Sequence, residues 1–198
     1  MADKVYCYPD SDVLINKFGI RDREELATAE RKLTSLRILE LIRNPVRGEL
    51  NFQYLKDIHF YIFQDIYDWA GQMRTVNIEK GNMFCNSMFL EDQAEKIFGE
   101  LRTEDYLAGL GRTDFIKRLA YYFSEINALH PFREGNGRTQ REFVRNLALK
   151  NNYIVNFAKI SEKDMLIASS KSFLCDYEPM EELFNVAVRC FRSTSPNE

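Results

Sequence analysis

This sequence lacks the residue patterns of metal-binding and disulfide-stapled proteins. It has only two histidines, His59 and His130, too few for a histidine-rich zinc site. Its four cysteines, Cys7, Cys85, Cys175 and Cys190, are scattered and form no Cys-x-x-Cys pair. The simple expectation is free thiols in a reducing cytoplasm. The opening stretch MADKVYCYPDSD has no apolar signal core. No window approaches the ~20 apolar residues of a membrane-spanning helix. Positive charge is not in excess either, since 27 Lys and Arg face 30 Asp and Glu for a net charge of −3. Broad nucleic-acid binding needs a basic face, so neither nucleic acid nor membrane is expected as a partner. Any local cluster of cations then reads as an anion site. Internal repeats, low-complexity stretches and linkers are also missing.

What is present suits a globular fold. Apolar residues make up 45% of 198 positions, enough for one domain over 1–198 with a buried core over about 5–190. The tail STSPNE, 193–198, is expected to fray.

Helical periodicity dominates, so the expected class is mainly all-α. Residues 23–43 carry Leu26, Leu33, Leu36, Leu39 and Ile42 at helix-like spacing. Residues 52–69 repeat the pattern with Leu55, Ile58, Ile62, Phe63, Ile66 and Trp69, and Ala70-Gly71 ends that helix. Thr75, Val76 and Ile78 favour strand, and Lys80-Gly81-Asn82 reads as a turn. This is the one hairpin expected. Ser87 is a candidate cap for a helix over 88–102, and Thr113 for a long one over 114–129. Further helices are predicted over 137–150, near 161–171 and near 179–191.

The segment HPFREGNGRTQR, His130 to Arg141, concentrates chemistry. Pro131 disfavours the helical region at His130, so the preceding helix ends there. Gly135 and Gly137 break regular structure, and helical patterning resumes from Arg138 with Phe143, Val144 and Leu147 facing inward. A helix start offers unpaired N–H groups and a partial positive charge. Glycines beside it let a phosphate approach closely. Arg138, Arg141 and Arg145 share one helix side, and the first two stand in the first turn. Glu134 would repel a bare anion but suits Mg²⁺, which takes one or two carboxylates plus substrate phosphates. His130 can accept a proton near neutral pH. Together these groups read as transfer from a nucleoside triphosphate to a hydroxyl. Each has an ordinary explanation by itself: a histidine before proline is usually structural, paired glycines usually make a turn, and arginines on a helix side are usually solvated. Their coincidence within twelve residues favours the joint reading.

At these residues the sequence resembles the Fic family, whose pattern H-P-F-x-[D/E]-G-N-G-R-x-x-R is matched without departure from His130 to Arg141. IFQDIYDWAGQMR, 62–74, resembles the segment that leads into the Fic flap, and the helix order is similar over roughly 5–190. The resemblance is to small bacterial Fic toxins and to Fic domains of Bartonella-type effectors. It implies a Fic-fold helical bundle with one short β-hairpin flap, and a protein adenylyltransferase that moves AMP from Mg·ATP, or Mn·ATP, to a Tyr, Thr or Ser hydroxyl of a target protein. His130 would be the base and Phe132 the loop anchor. Glu134 would hold the metal. The backbone of Gly135–Gly137 and the Asn136 side chain would hold the α- and β-phosphates, Arg138 the β-phosphate and Arg141 the γ-phosphate. The flap, Thr75, Val76, Asn77, Ile78, Glu79 and Lys80, would pair with an extended target segment. An ordinary surface hairpin is the plain alternative. Tyr106, Leu107, Gly109 and Leu110 are a candidate adenine wall, or simply a packed loop.

Gly137 stands where a phosphorylating branch of the family has lysine, so AMP transfer is favoured; phosphate or phosphocholine transfer and a non-catalytic binding module remain alternatives. The family's inhibitory pattern [S/T]-x-x-x-E-[G/N] is not found. Thr75–Glu79 and Ser87–Glu91 have the spacing but lack the last residue, Ser35 and Glu40 are five apart, and Glu178, Glu182 and Asn185 match only part of the C-terminal variant. The resemblance then implies either a separate small antitoxin that supplies a glutamate in trans, or a freely active effector domain. It places the protein in the cytoplasm of a bacterium, or of a host cell for a secreted effector.

Overall fold

The computed structural model describes residues 5–191, so the tail expected to fray at 193–198 lies outside the described residues. Seven α-helices are found among them. Helix α1 is Arg23–Arg43 and α2 is Phe52–Phe63; a minimal hairpin follows, β1 Glu79–Lys80 and β2 Asn82–Met83. Next come α3, Leu90–Thr103, α4, Arg112–Leu129, and α5, Asn136–Lys150. Strand β3, Tyr153–Val155, precedes α6, Glu162–Ser172, α7, Glu178–Ala187, and β4, Val188–Cys190.

Short polar side chains start several of these helices. Asp22 accepts from the N–H of Glu25, Asn51 from Tyr54 and Ser161 from Asp164, each cap satisfying an orphan donor. Helix α5 runs through the middle, packed on α2 and α4, with Phe143, Val144, Leu147 and Ala148 buried. Phe143 meets Tyr54 and Phe98 at centroid distances of 6.1 and 5.4 Å. Truncating such a ring to alanine costs about 3–5 kcal/mol. The loop 130–135 therefore hangs between two helices fixed by the core.

Helix α1 has the expected bounds but not the expected face. Leu36, Leu39 and Ile42 are 59%, 54% and 49% exposed, while Leu26, Thr34 and Leu41 are buried. The cause is geometric. A three-residue step falls about 60° short of a full turn, so the series Leu33, Leu36, Leu39, Ile42 walks around the helix. Thr34 and Leu41, a heptad apart, stay on one line.

The helix expected over 52–69 stops at Phe63. Phe63 O accepts from the N–H groups of both Ile66 and Tyr67, and the chain turns back. Gly71 completes the reversal at φ +78; a Cβ there would meet Phe60 Cβ at 2.9 Å. Ile66, Tyr67 and Ala70 are still buried, so the turn mimics helical patterning. The hairpin is shorter than expected. Only Glu79 with Met83 and Lys80 with Asn82 pair, around Gly81, and Thr75–Ile78 belongs to no strand. Nor is it the one hairpin-like pairing, because β3 pairs antiparallel with β4. Residues 188–190, taken as the end of the last helix, are that edge. Three-residue strands carry too little alternation to announce themselves. At the helix starts, Gly111 rather than Thr113 precedes α4, and Asn86 caps the 3-10 turn Ser87–Phe89 ahead of α3.

Candidate active site

Helix α4 ends at Leu129, and His130 takes the left-handed conformation, φ 46 and ψ 59. A non-glycine residue there is strained and must be held by its surroundings. Its N–H still reaches Ile126 O at 3.1 Å. The ring Nδ1 lies 3.3 Å from Asn127 O. A carbonyl only accepts, so Nδ1 carries the proton in the neutral ring and the Nε2 lone pair is the basic one. Phe84 stacks on the imidazole at a centroid distance of 3.7 Å and 17°.

The loop is closed from within. Asn136 Oδ1 accepts from Phe132 N–H at 2.9 Å, and Nδ2 donates to Phe132 O at 2.7 Å. The Asn136 side chain is thus a latch, which corrects the expectation that it faces a phosphate. Phe132 is fully buried and stacks on His59 at 3.8 Å. His59 has Phe63 on its other side at 4.7 Å. Its Nδ1 accepts from Gly71 N–H at 2.8 Å, which makes Nε2 the donor to Glu134 O at 3.0 Å. Burial holds its pKa down at about 3, against a small upward push from the Glu134 carbonyl. This neutral histidine props the loop where Glu134 sits. Gly135 follows at φ +83, and a Cβ there would lie 2.1 Å from the Phe63 ring.

From Gly135 the chain enters α5. The N–H groups of Asn136, Gly137 and Arg138 have no acceptor among the described residues, and they carry the positive end of a 15-residue helix. Glu134 Oε1 accepts from Gly135 N–H at 2.8 Å and lies 3.5 Å from Arg138 Nη2, and Oε2 makes no hydrogen bond among the described residues. That open oxygen suits one ligand to a hard cation.

The two motif arginines diverge. Arg141 lines a cavity of about 960 Å³ together with His130. Among the described residues it pairs with no carboxylate within 4 Å. It is accessible from the cavity, but protein surrounds much of the head, and this desolvation lowers its pKa, as does Arg138, while Glu162 opposes them. Arg138 turns toward α1. Its Nη2 donates to Glu30 Oε1 at 2.6 Å and its Nη1 to Thr34 Oγ1 at 3.2 Å, with the guanidinium carbon 4.7 Å over the Phe63 ring. Tyr67 also donates to Glu30. Nη2 also lies 3.5 Å from Glu134 Oε1, so Arg138 is engaged by two acids, one on α1 and one in the loop itself.

The far cavity wall is built by Phe157, Ile160 and α6, with Ser161, Met165 and Ser169. The stretch proposed as an adenine wall is elsewhere. Asn151 Nδ2, past the end of α5, donates to Tyr106 O at 2.8 Å, and Lys150 lies 4.2 Å over the Tyr106 ring. Leu107 is buried in the core, and Gly109 and Leu110 border a separate hollow. A helix of 15 residues spans about 22 Å, which separates them from the motif. Those residues are corrected to packing roles.

On the flap, Thr75 N–H donates to Tyr6 Oη at 3.1 Å, Val76 O is held by Arg74, Asn77 Oδ1 accepts from Ser87 N–H, and Ile78 O accepts from Phe84 N–H. The N–H groups of Val76, Asn77 and Ile78 have no acceptor among the described residues. Sequence reasoning missed His59, Arg74, Phe84 and the α6 wall. Only WAGQMR, which contains Arg74 and leads to the flap, gave any signal.

Residues 49–148 match the Fic/DOC family. The chain is 37% identical over 191 residues to the probable protein adenylyltransferase Fic of Salmonella typhimurium, covering 96% of this chain and 94% of that protein. It is 37% identical over 179 residues to protein adenylyltransferase VbhT of Bartonella schoenbuchensis, covering 90% of this chain but spanning only 37% of VbhT. Among solved structures, the N-terminal Fic domain of a VirB-translocated Bep effector from Bartonella quintana, with bound ADP, is 27% identical, with a TM-score of 0.89 over 94% of this chain and 95% of that one.

Proposed function

The chain belongs to the Fic/DOC family, and from that premise we infer that it is a protein adenylyltransferase, transferring AMP from ATP to a hydroxyl of a target protein. The observation that carries this is the meeting of His130 and Arg141 on one cavity, beside three open N–H groups of α5. A base, a free cation and an anion-binding helix start are what nucleotidyl transfer needs in one place.

The Nε2 of His130 takes the proton of the target hydroxyl as its oxygen attacks the α-phosphorus. The bond from that phosphorus to the β-phosphate oxygen breaks, and pyrophosphate leaves. The open N–H groups stabilise charge on the phosphate oxygens, and Arg141 binds the terminal phosphate. Glu134 offers its open Oε2 to Mg²⁺ or Mn²⁺, and that cation supplies neutralisation of phosphate charge when bound. Gly137 leaves no lysine to compete for the phosphates, in keeping with AMP as the group moved. The wall of Ile160, Met165 and Ser169 is apolar with one hydroxyl, a suitable face for a base.

The flap would receive the target. Its free N–H groups at 76–78 offer β-augmentation, and exposed Met83, Met88 and Phe89 flank it. Because Arg141 pairs with no carboxylate among the described residues, restraint would come in trans, from a small antitoxin whose glutamate occupies it.

The test is incubation with bacterial lysate and ATP labelled at either the α- or the γ-phosphate. Protein should gain label from the α position only, and His130→Ala should lose about 10²–10⁴-fold of it while still binding ATP. Transfer of γ-label, or undiminished transfer by the mutant, would refute the reading.

A further inference from the structure

Arg74 is the largest fully buried side chain, 2% exposed, and among the described residues it has no carboxylate partner. Its donors all go to main-chain carbonyls. Nε donates to His130 O at 2.8 Å, Nη1 to Val76 O at 2.7 Å, and Nη2 to Cys85 O and, at 3.4 Å, to Leu129 O. Its own N–H donates to Pro131 O at 2.9 Å.

These acceptors fall in two groups. Leu129 and His130 close the C-terminal end of α4, where unpaired carbonyls and the negative end of the helix dipole favour a cation. Val76 and Cys85 are the entry to and exit from the flap. One rigid guanidinium fork therefore ties both roots of the flap to the residue that carries the base. A lysine has neither the planar fork nor enough fixed donors for this. Cys85 N–H adds a second stitch to Ala128 O at 3.0 Å. Next to Cys85 is Phe84, whose ring lies on the His130 imidazole, with Phe173 5.7 Å behind it.

We propose that Arg74 is the positioning residue for His130: it holds the strained backbone of the base directly through its carbonyl, and orients the ring through the flap root and Phe84. Flap geometry and imidazole orientation are then one mechanical unit. A target strand that settles on the flap acts on a base already aligned. This rests on His130 being the base, but its structural content is measured separately.

The experiment uses the fact that the chain has only two histidines. In ¹⁵N-labelled full chain, the His130 ring signals carry the ring-current shift of stacked Phe84, and His59 serves as an internal control for the core. In Arg74→Lys and Arg74→Met, the His130 shift should collapse toward that of Phe84→Leu while the His59 signals stay. Transfer of α-label should fall about 10²-fold, as a misplacement of about 1 Å can cause, with ATP affinity unchanged. Unaltered His130 signals in a folded Arg74 variant would overturn the proposal. Should both Arg74 variants unfold, Phe84→Leu decides: unchanged His130 signals and turnover there overturn it equally. Transfer surviving in His130→Ala would instead sink the base reading and leave the ring measurement standing.

Discussion

Lowering the pH from 7 to 5 should cost the fold about 2 kcal/mol through His59 alone. His59 is fully buried between Phe132 and Phe63 and is neutral, with a pKa held at about 3 by desolvation. In the unfolded chain it titrates near the ordinary value of about 6.5. A depressed histidine pKa means that the unfolded state binds the proton first. Its stabilising effect is complete above the unfolded pKa and is lost as pH falls, across the window from about 6.5 down to about 3. At pH 5 the unfolded ring lies about 1.5 units below its pKa, and each unit is worth about 1.4 kcal/mol, which gives the figure above. Other groups titrate in this range, so the measurement is a difference. Urea unfolding of wild type and His59→Gln is compared at both pH values; glutamine retains an amide donor and an oxygen acceptor but has no proton to gain. Wild type should lose about 2 kcal/mol more than the variant, or about 4–8 °C in Tm for a chain of this size. Equal losses would refute the assignment of a neutral, buried His59.

Three further outcomes are expected. Gly135→Ala should lose at least about 2 kcal/mol, from a left-handed alanine and a clash with the Phe63 ring; an unchanged melting temperature would mean the loop takes another path. Arg138→Ala should lose about 3 kcal/mol, because Glu30 is left nearly buried without its cation, while Arg141→Ala should weaken ATP binding with little change in stability; the reverse pattern in calorimetry would exchange their roles. Asn77→Pro and Ile78→Pro remove N–H groups that the fold does not use, so stability and ATP affinity should hold while labelling of the target falls, and full labelling by both would take the flap out of target recognition.

Much of the candidate site was legible because its chemistry is contiguous. His130, Phe132, Glu134, Gly135 and Arg141 lie within twelve residues, and the proline, the glycines and the helix start dictate a loop that turns between helices. The residues that hold the loop were not legible. His59 and Arg74 act across 75 and 56 positions of sequence, through Glu134 O and His130 O. No local pattern announces a hydrogen bond to a distant carbonyl. The adenine wall failed for the same reason: in sequence YLAGL reads as a loop that either lines a pocket or packs, and only contacts with Asn151 and Lys150 show that Tyr106 packs at the opposite end of α5.

The two arginines show how far side-chain type alone reaches. Position in the first turn of α5 treats Arg138 and Arg141 alike, as cations near one anion site. They separate because α1 brings Glu30 and Thr34 within reach of Arg138, whereas Arg141 faces a cavity and pairs with no carboxylate among the described residues. A half-buried arginine with a nearly buried acid partner has a structural role, since removing either partner leaves a poorly compensated charge. An arginine that faces a cavity and pairs with no carboxylate among the described residues is open to an arriving anion. Arg138 thus ties the start of α5 to α1, while Arg141 stays open to the cavity. That division depends on Glu30, more than a hundred residues away in the sequence.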